Sequence, residues 1–252
     1  MNPLIALDFD GVICDSVDEC LITAHNAYHQ IQGRPQWIDS LAALDPGLID
    51  RFRKLRHLAA NAADFWLVYD LAAATGNAVA PTSFKALRKE HRVRMNSFEP
   101  LFFQARLKLR SAGLTEWLAL HRPYPEFQEG WDQLRAHFPV YLVTTKDRAS
   151  IDQFNRHWQL GFGEQHLWTK ERGLNKAHAV AAIAEQTGRK PEDILFVDDH
   201  PEHLAAVATT GARCYWAAWG YLGVYGPAPA EDSPFTPIAK LSDLLAHLPI
   251  ID

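Results

Sequence analysis

Long apolar runs are missing from this sequence. No uninterrupted stretch approaches the roughly 20 residues that a membrane-spanning helix requires, so no helical span is expected. Cysteine is scarce: Cys14, Cys20 and Cys214 are spaced to give neither paired metal ligands nor a disulfide framework. Each is expected to serve as a small core hydrophobe, in keeping with a reducing, cytoplasmic compartment. The amino terminus has no basic segment with a small-residue cleavage site and enters an apolar run at once, so no secretory signal is expected. Excess positive charge is also absent. The formal net charge is −5, which argues against nucleic acid as a partner.

What is present is an ordinary globular composition, 48% hydrophobic, over 252 residues. That length suits one large domain or a domain carrying an insertion. Charge is unevenly spread. Residues 19–122 contain 14 Lys or Arg against 9 Asp or Glu, and the remainder contains 11 against 21. A basic middle in an acidic frame fits an insertion that faces an anion; helices with solvated basic faces fit equally well. Arg51, Arg53, Lys54 and Arg56 form the densest basic cluster, for which a solvated face is the expectation.

The chain is organised around its first segment, Leu4-Ile5-Ala6-Leu7-Asp8-Phe9-Asp10-Gly11-Val12. A short continuous apolar run suits a strand buried on both faces of a parallel sheet. Strand alternation points Asp8 and Asp10 the same way at its carboxyl end, and Gly11 permits a sharp exit. Two crowded carboxylates repel each other unless a divalent cation lies between them or one holds a proton. The plainer alternative is a solvated turn after an edge strand.

Ser16-Val17-Asp18-Glu19 reads as a capping box opening a helix that stops near Gly33 and Pro35. His25 and His29 lie four apart on that helix without an evident third metal ligand. Residues 36–122 read as helical, in segments 47–63, 65–74, 82–95, 100–109 and 114–120 punctuated at Asn77, Pro81, Asn96 and Gly113. The aromatic residues there, Phe65, Trp66, Tyr69, Phe98, Phe102 and Phe103, read as core. Pro123-Tyr124-Pro125 breaks the pattern, and strands then alternate with helices: strands at 140–144, 166–168, 194–198 and 213–217, helices at 127–136, 149–158, 176–187 and 201–209. A loop over 220–237 and a last helix over 237–248 close the chain. Alternation of this kind predicts a doubly wound parallel sheet, interrupted by one helical insertion.

Three of these strands end in polar groups: Asp8 and Asp10, Thr144-Thr145-Lys146, and Asp198-Asp199. Ligands of open α/β sheets bind beyond the carboxyl ends of strands. Four acids converging there are costly without a cation, which predicts an oxygen-ligand site for Mg²⁺.

The pattern resembles the haloacid dehalogenase (HAD) superfamily, in its phosphoglycolate-phosphatase-like branch with a helical, C1-type cap after the first motif. Asp8-Phe9-Asp10-Gly11-Val12 with Asp15-Ser16 resembles the family's first motif, Val143-Thr144-Thr145-Lys146 the second, Lys176 the third, and Phe196-Val197-Asp198-Asp199-His200-Pro201 the acidic fourth. Trp219-Gly220-Tyr221 resembles the tail of such members. The resemblance implies a Rossmann-like core over 1–18 and 123–252 with a cap domain over 19–122, and a Mg²⁺-dependent phosphatase acting on a small phosphorylated metabolite. It implies Asp8 as nucleophile, Asp10 as acid and then base, Thr144 on the phosphoryl oxygens and Lys176 on the charge of Asp8 and the phosphoryl group. Metal ligands would be Asp8, the Asp10 carbonyl and one or both of Asp198 and Asp199. Lys170 and Thr145 stand as alternatives to Lys176 and Thr144. The chain departs from many relatives in having Asp198 where they have glycine and His203 where they have a second acid. The acid at Asp10 separates phosphatase from dehalogenase. A phosphomutase of the β-phosphoglucomutase type, a phosphonatase-like hydrolase using Lys54 or Lys85, and a receiver-like phospho-switch are the other readings.

Overall fold

The structure, a computed structural model, describes residues 3–34, 36–74 and 81–248. The chain divides into two compact units, one of residues 1–15 with 123–252 and one of residues 16–122.

The second unit is built from α1 (Val17–Ile31), α2 (Pro46–Leu55), α3 (Asp64–Ala73), α4 (Pro81–Glu90), α5 (Arg92–Ala112) and α6 (Leu114–Ala119). Its aromatic residues are core. Phe65 stacks between Phe52 and Phe102, with centroids 6.0 and 5.1 Å away. Between α1 and α5 lies a fully buried ion pair: Arg106 donates to both oxygens of Glu19 at 2.9 and 2.8 Å, and Thr23 adds a 2.7 Å hydrogen bond.

The first unit carries a sheet of β1 (Leu4–Leu7), β2 (Val140–Val143), β3 (Leu167–Trp168), β4 (Ile194–Asp198), β5 (Arg213–Ala217) and β6 (Thr236–Ile238). Their order is β3-β2-β1-β4-β5-β6, with every pairing parallel. The connecting helices are α7 (Pro125–His137), α8 (Arg148–His157), α9 (Lys176–Thr187) and α10 (Pro201–Ala208), followed by the short α11 (Tyr221–Tyr225). This is the doubly wound α/β class that the alternation predicts. Strand periodicity explains the apolar runs. Leu4 and Ala6, Ile194 and Phe196, and Cys214 and Trp216 pack against α9 and α10, while the intervening Ile5, Leu7, Leu195 and Val197 are equally buried. Each such side chain contributes roughly 1.5–3 kcal/mol by leaving water. β1 is central. Its neighbours β2 and β4 continue the chain in opposite directions across the sheet, which makes its carboxyl end the switch point at which open α/β sheets bind ligands.

Several local expectations fail for identifiable reasons. Ser16 precedes α1 but makes no capping hydrogen bond, and Glu19 is drawn inward by Arg106 and Thr23 instead of closing a capping box. The expected break at Asn96 is absent. α5 runs unbroken through Pro100, because Phe98, Phe102, Ala105, Arg106 and Leu109 all bury along it and outweigh a proline cost of about 3 kcal/mol. The carboxyl-terminal helix expected over 237–248 is strand β6 followed by a 3₁₀ helix over Leu241–His247. Pro237 is tolerated there because β6 is an edge strand. Pro35 and Asn77, read as helix stops, lie outside the described residues. Cys14, Cys20 and Cys214 are buried and none is joined in a disulfide. Among the described residues no helix is long and apolar enough to cross a membrane.

Candidate active site

The carboxyl ends of β1, β2 and β4 gather the side chains singled out from sequence. Asp8 follows β1 directly and is 6% exposed; its backbone N–H donates to Val197 O at 2.9 Å. The chain then turns tightly, with the N–H groups of Ile13 and Cys14 both donating to Phe9 O. Gly11 sits in this turn at φ +87°, a conformation that favours glycine.

The two aspartates that follow β1 do not share one partner. Asp8 Oδ2 meets Lys176 Nζ at 2.7 Å, and Asp10 meets Lys146 Nζ at 3.0 Å. Lys176 is the first residue of α9, whose amino end is capped by Asn175 accepting from His178 N–H at 3.0 Å. Of the two candidate lysines, Lys176 is the one that reaches Asp8. Lys170 follows β3, where its backbone N–H donates to Lys146 O at 3.1 Å. Thr144 is buried and its N–H donates to Trp168 O, while its Oγ1 accepts from Lys146 N–H at 3.2 Å; Thr145 is half-buried.

The adjacent acids at the end of β4 are held quite differently. Asp198 is fully buried. Its Oδ2 accepts from Lys176 at 2.7 Å and lies 3.2 Å from His203 Nδ1, and its Oδ1 accepts from His200 N–H at 2.8 Å. Asp199 turns the other way, toward the first loop. Its Oδ2 accepts from Tyr221 N–H at 3.0 Å, and its backbone carbonyl accepts from the Trp216 indole at 3.1 Å. A Cβ at Gly11 or at Gly220 would collide with Asp199, so both glycines are the space that lets this carboxylate lie against the Asp10–Gly11 backbone. Trp219 donates to Val12 O at 2.9 Å and fixes the same loop from the far side.

Electrostatics divide the two buried acids. Burial works against the charge of Asp198, but Lys176 and His203 hold its carboxyl well below the usual carboxylate range. Burial pushes Asp8 up, against the pull of Lys176 and with the push of Asp198. For Lys176, the penalty of burial is more than offset by Asp198 and Asp8, and its ammonium is favoured. Asp198 is thus the committed counter-ion of Lys176, and Asp8 is left under-compensated.

Asp8, Asp198 and His203 offer ligand atoms within 4.8 Å of one another. The Lys176 ammonium already serves the two acids of that cluster. Asp8, the Asp10 carbonyl and Asp199 are the other oxygen donors at the ends of β1 and β4. These are oxygen donors of the kind hard cations take, and the Gly11 and Gly220 cradle keeps the Asp199 carboxylate beside the loop.

The basic cluster of the helical unit is largely self-satisfied. Arg53 pairs with Asp18 at 2.5 Å and Lys54 with Asp50 at 2.7 Å; Arg51 donates to Ala72 O and Arg56 to Ala59 O. Lys146 is the residue whose partner the sequence did not disclose. Its adjacency to Thr144 was visible, but its pairing with Asp10 depends on β1 and β2 lying side by side.

A family model for haloacid dehalogenase-like hydrolases matches residues 3–211. No curated protein matches the sequence. Similar solved structures include a predicted phosphoglycolate phosphatase from Haemophilus somnus, at TM-score 0.63 and 17% identity over 98% of this chain and 97% of that one. A predicted phosphatase from Clostridium acetobutylicum is similar at TM-score 0.59 and 11% identity, covering 98% and 97%. A haloacid dehalogenase-like hydrolase from Streptococcus pneumoniae gives 0.57 and 16%, with 98% of each chain covered. At these identities the likeness is one of fold.

Proposed function

The chain belongs to the haloacid dehalogenase-like hydrolase family, and from that premise we propose that it is a Mg²⁺-dependent phosphatase hydrolysing a small phosphorylated metabolite through an aspartyl-phosphate on Asp8. The observation that carries this reading is the placement of Asp8 against Lys176 at 2.7 Å, with a second carboxylate two residues on and Asp199 lodged beside the intervening loop. Phosphoryl transfer asks a protein chiefly for alignment and charge stabilisation, and this set supports both.

In the proposed reaction a carboxylate oxygen of Asp8 attacks phosphorus as the bond to the leaving oxygen breaks, and Asp10 gives that oxygen its proton. Asp10 then takes a proton from water. The water oxygen attacks phosphorus, the bond to Asp8 breaks and inorganic phosphate departs. Lys176 offsets charge on Asp8 and on the phosphoryl oxygens, and the Thr144 hydroxyl orients them. Asp8, the Asp10 carbonyl and Asp199 would hold Mg²⁺, which when bound lets an anionic nucleophile approach an anionic phosphate. Asp198 serves as the counter-ion of Lys176 and leaves direct ligation to Asp199. The unit of residues 16–122 is the proposed cap, from which substrate choice would come.

The test is phosphate release from a panel of phosphorylated metabolites with Mg²⁺. Phosphoglycolate belongs in it because a structurally similar protein carries that name. Turnover by the native protein, lost on the order of 10⁴-fold or more in Asp8→Asn, is the expected result. Undiminished turnover by Asp8→Asn would refute the nucleophile assignment.

A further inference from the structure

We propose that Lys146 is a positioning residue that holds the Asp10 carboxylate in its working orientation, an inference that deepens the phosphatase reading and rests on it. Lysine is almost never fully buried without a partner. The Lys146 side chain has no exposed surface, and its Nζ lies 3.0 Å from Asp10 Oδ1 and 3.3 Å from Oδ2. The ammonium is boxed on its inner side by aromatic faces, 5.6 Å from the centroid of Phe9 and 5.7 Å from that of Phe154. Those rings stack on each other at 4.8 Å, so the box is rigid.

The geometry assigns the two members of the pair different tasks. Asp10 keeps 18% of its side chain exposed, whereas Lys146 keeps none, so the carboxylate is the outer member and meets what enters the crevice. Lys146 is anchored through its backbone as well. Its N–H donates to Thr144 Oγ1, and its carbonyl accepts from Lys170 N–H at 3.1 Å. A two-oxygen contact from a fixed ammonium stops the Asp10 carboxylate from swinging about its side-chain bonds. A proton donor displaced by about 1 Å loses on the order of 10²-fold in rate. Lys146 Nζ meets the acid of the proposed reaction at both oxygens, so its effect on proton transfer passes through Asp10.

The experiment compares kcat/KM for the native protein, Lys146→Met, Asp10→Asn and the double variant. Two probes are used with Mg²⁺: p-nitrophenyl phosphate, whose leaving group needs no proton, and glycerol phosphate, whose leaving alkoxide does. Because kcat/KM runs only as far as phosphoryl transfer, it includes the proton-donating step and excludes hydrolysis of the aspartyl-phosphate. Lys146→Met is expected to cost about 10²-fold with glycerol phosphate and under about 3-fold with p-nitrophenyl phosphate, and to add nothing in the Asp10→Asn background. Equal losses on both probes, or a further loss in Asp10→Asn, would overturn the proposal. Should Lys146→Met fail to fold by circular dichroism, Lys146→Gln takes its place; failure of both would make Lys146 a folding residue and also overturn it. A crystal structure of the folded variant decides independently of turnover. Asp10 rotated from its native position supports the assignment, and Asp10 unmoved overturns it, even if the native protein releases no phosphate from either probe, a result that counts against the phosphatase reading alone.

Discussion

Lys176 Nζ lies 2.7 Å from Asp8 Oδ2, a contact between the end of the first strand and the first residue of α9. The same ammonium lies 2.7 Å from Asp198, so one lysine serves two buried acids. Removing it uncovers both.

Lys176→Met is therefore expected to hurt function and stability together. Loss of one preorganised charge should lower kcat by about 10²–10³-fold. Leaving buried carboxylates unpaired should cost about 3–5 kcal/mol in urea unfolding at pH 7. Adding Asp198→Asn to that variant should recover part of the stability and none of the rate, because Asp198 is the more strongly ionised of the two acids. A variant as stable as the native protein would contradict the ion-pair account.

Mg²⁺ should raise the melting temperature of the native protein in proportion to the logarithm of its concentration once binding is saturated. Asp199→Asn should abolish that rise, and so should Gly11→Ala, whose methyl group would collide with the Asp199 carboxylate and whose φ of +87° disfavours alanine. Asp198→Asn should leave the Mg²⁺-dependent rise in place. Differential scanning calorimetry across a Mg²⁺ series separates these outcomes, and an unchanged rise in Asp199→Asn would remove that residue from the ligand set.

His25, in the helical unit, gives a pH prediction. It is buried, its Nδ1 lies 2.7 Å from the Tyr69 hydroxyl, and burial together with neighbouring His29 lowers its pKa to about 4. The folded state thus refuses a proton that the unfolded chain accepts near pH 6.5. Stability from this source is fully present above about pH 6.5 and falls as pH drops toward 4, by up to about 3 kcal/mol. Urea midpoints at pH 7 and pH 5 should differ in the native protein, and His25→Gln should shrink the difference. An identical pH slope in that variant would exclude His25 as the source.

The Glu19–Arg106 pair predicts an asymmetry between single and double substitutions. Arg106→Met leaves Glu19 buried without its main counter-charge and should cost about 3–5 kcal/mol. Glu19→Gln combined with Arg106→Met should cost clearly less than the two single changes added together. Simple additivity in denaturant unfolding would show that the pair does not act as a unit.

The sheet was legible because its signal is strong and local. Residues 4–7 and 194–197 are apolar at every position, a pattern that burial on both faces demands, and polar residues begin where each run ends. The residues proposed for the site stood out in the same way, since Asp8, Asp10, Thr144, Lys176 and Asp199 lie at or just beyond strand or helix ends. What escaped were features decided by distant packing. Glu19 looked like a capping residue until Arg106 claimed it, and Asn96 looked like a break until the apolar face of α5 carried the helix through. Lys146 belonged to a visible motif, but only the adjacency of β1 and β2 supplies its carboxylate. The separate tasks of Asp198 and Asp199 were likewise invisible. Neighbours in sequence point to opposite sides of a strand end, and which side holds the lysine is a three-dimensional fact.

The central position of β1 bears on how the polypeptide is made. The first strand leaves the ribosome long before β2 and β4, its partners on either side, have been synthesised. Until then its backbone donors and acceptors meet only water or chaperones. Residues 16–122 come between, and Tyr124 N–H donating to Ile13 O at 3.0 Å shows that their two ends must return to one place. If the helices of that segment form during translation, they draw those ends together in advance and reduce the entropy lost when the strand finds its neighbours. A substitution that slows the helical segment would then appear as poor yield and aggregation of nascent chains rather than as a weaker enzyme.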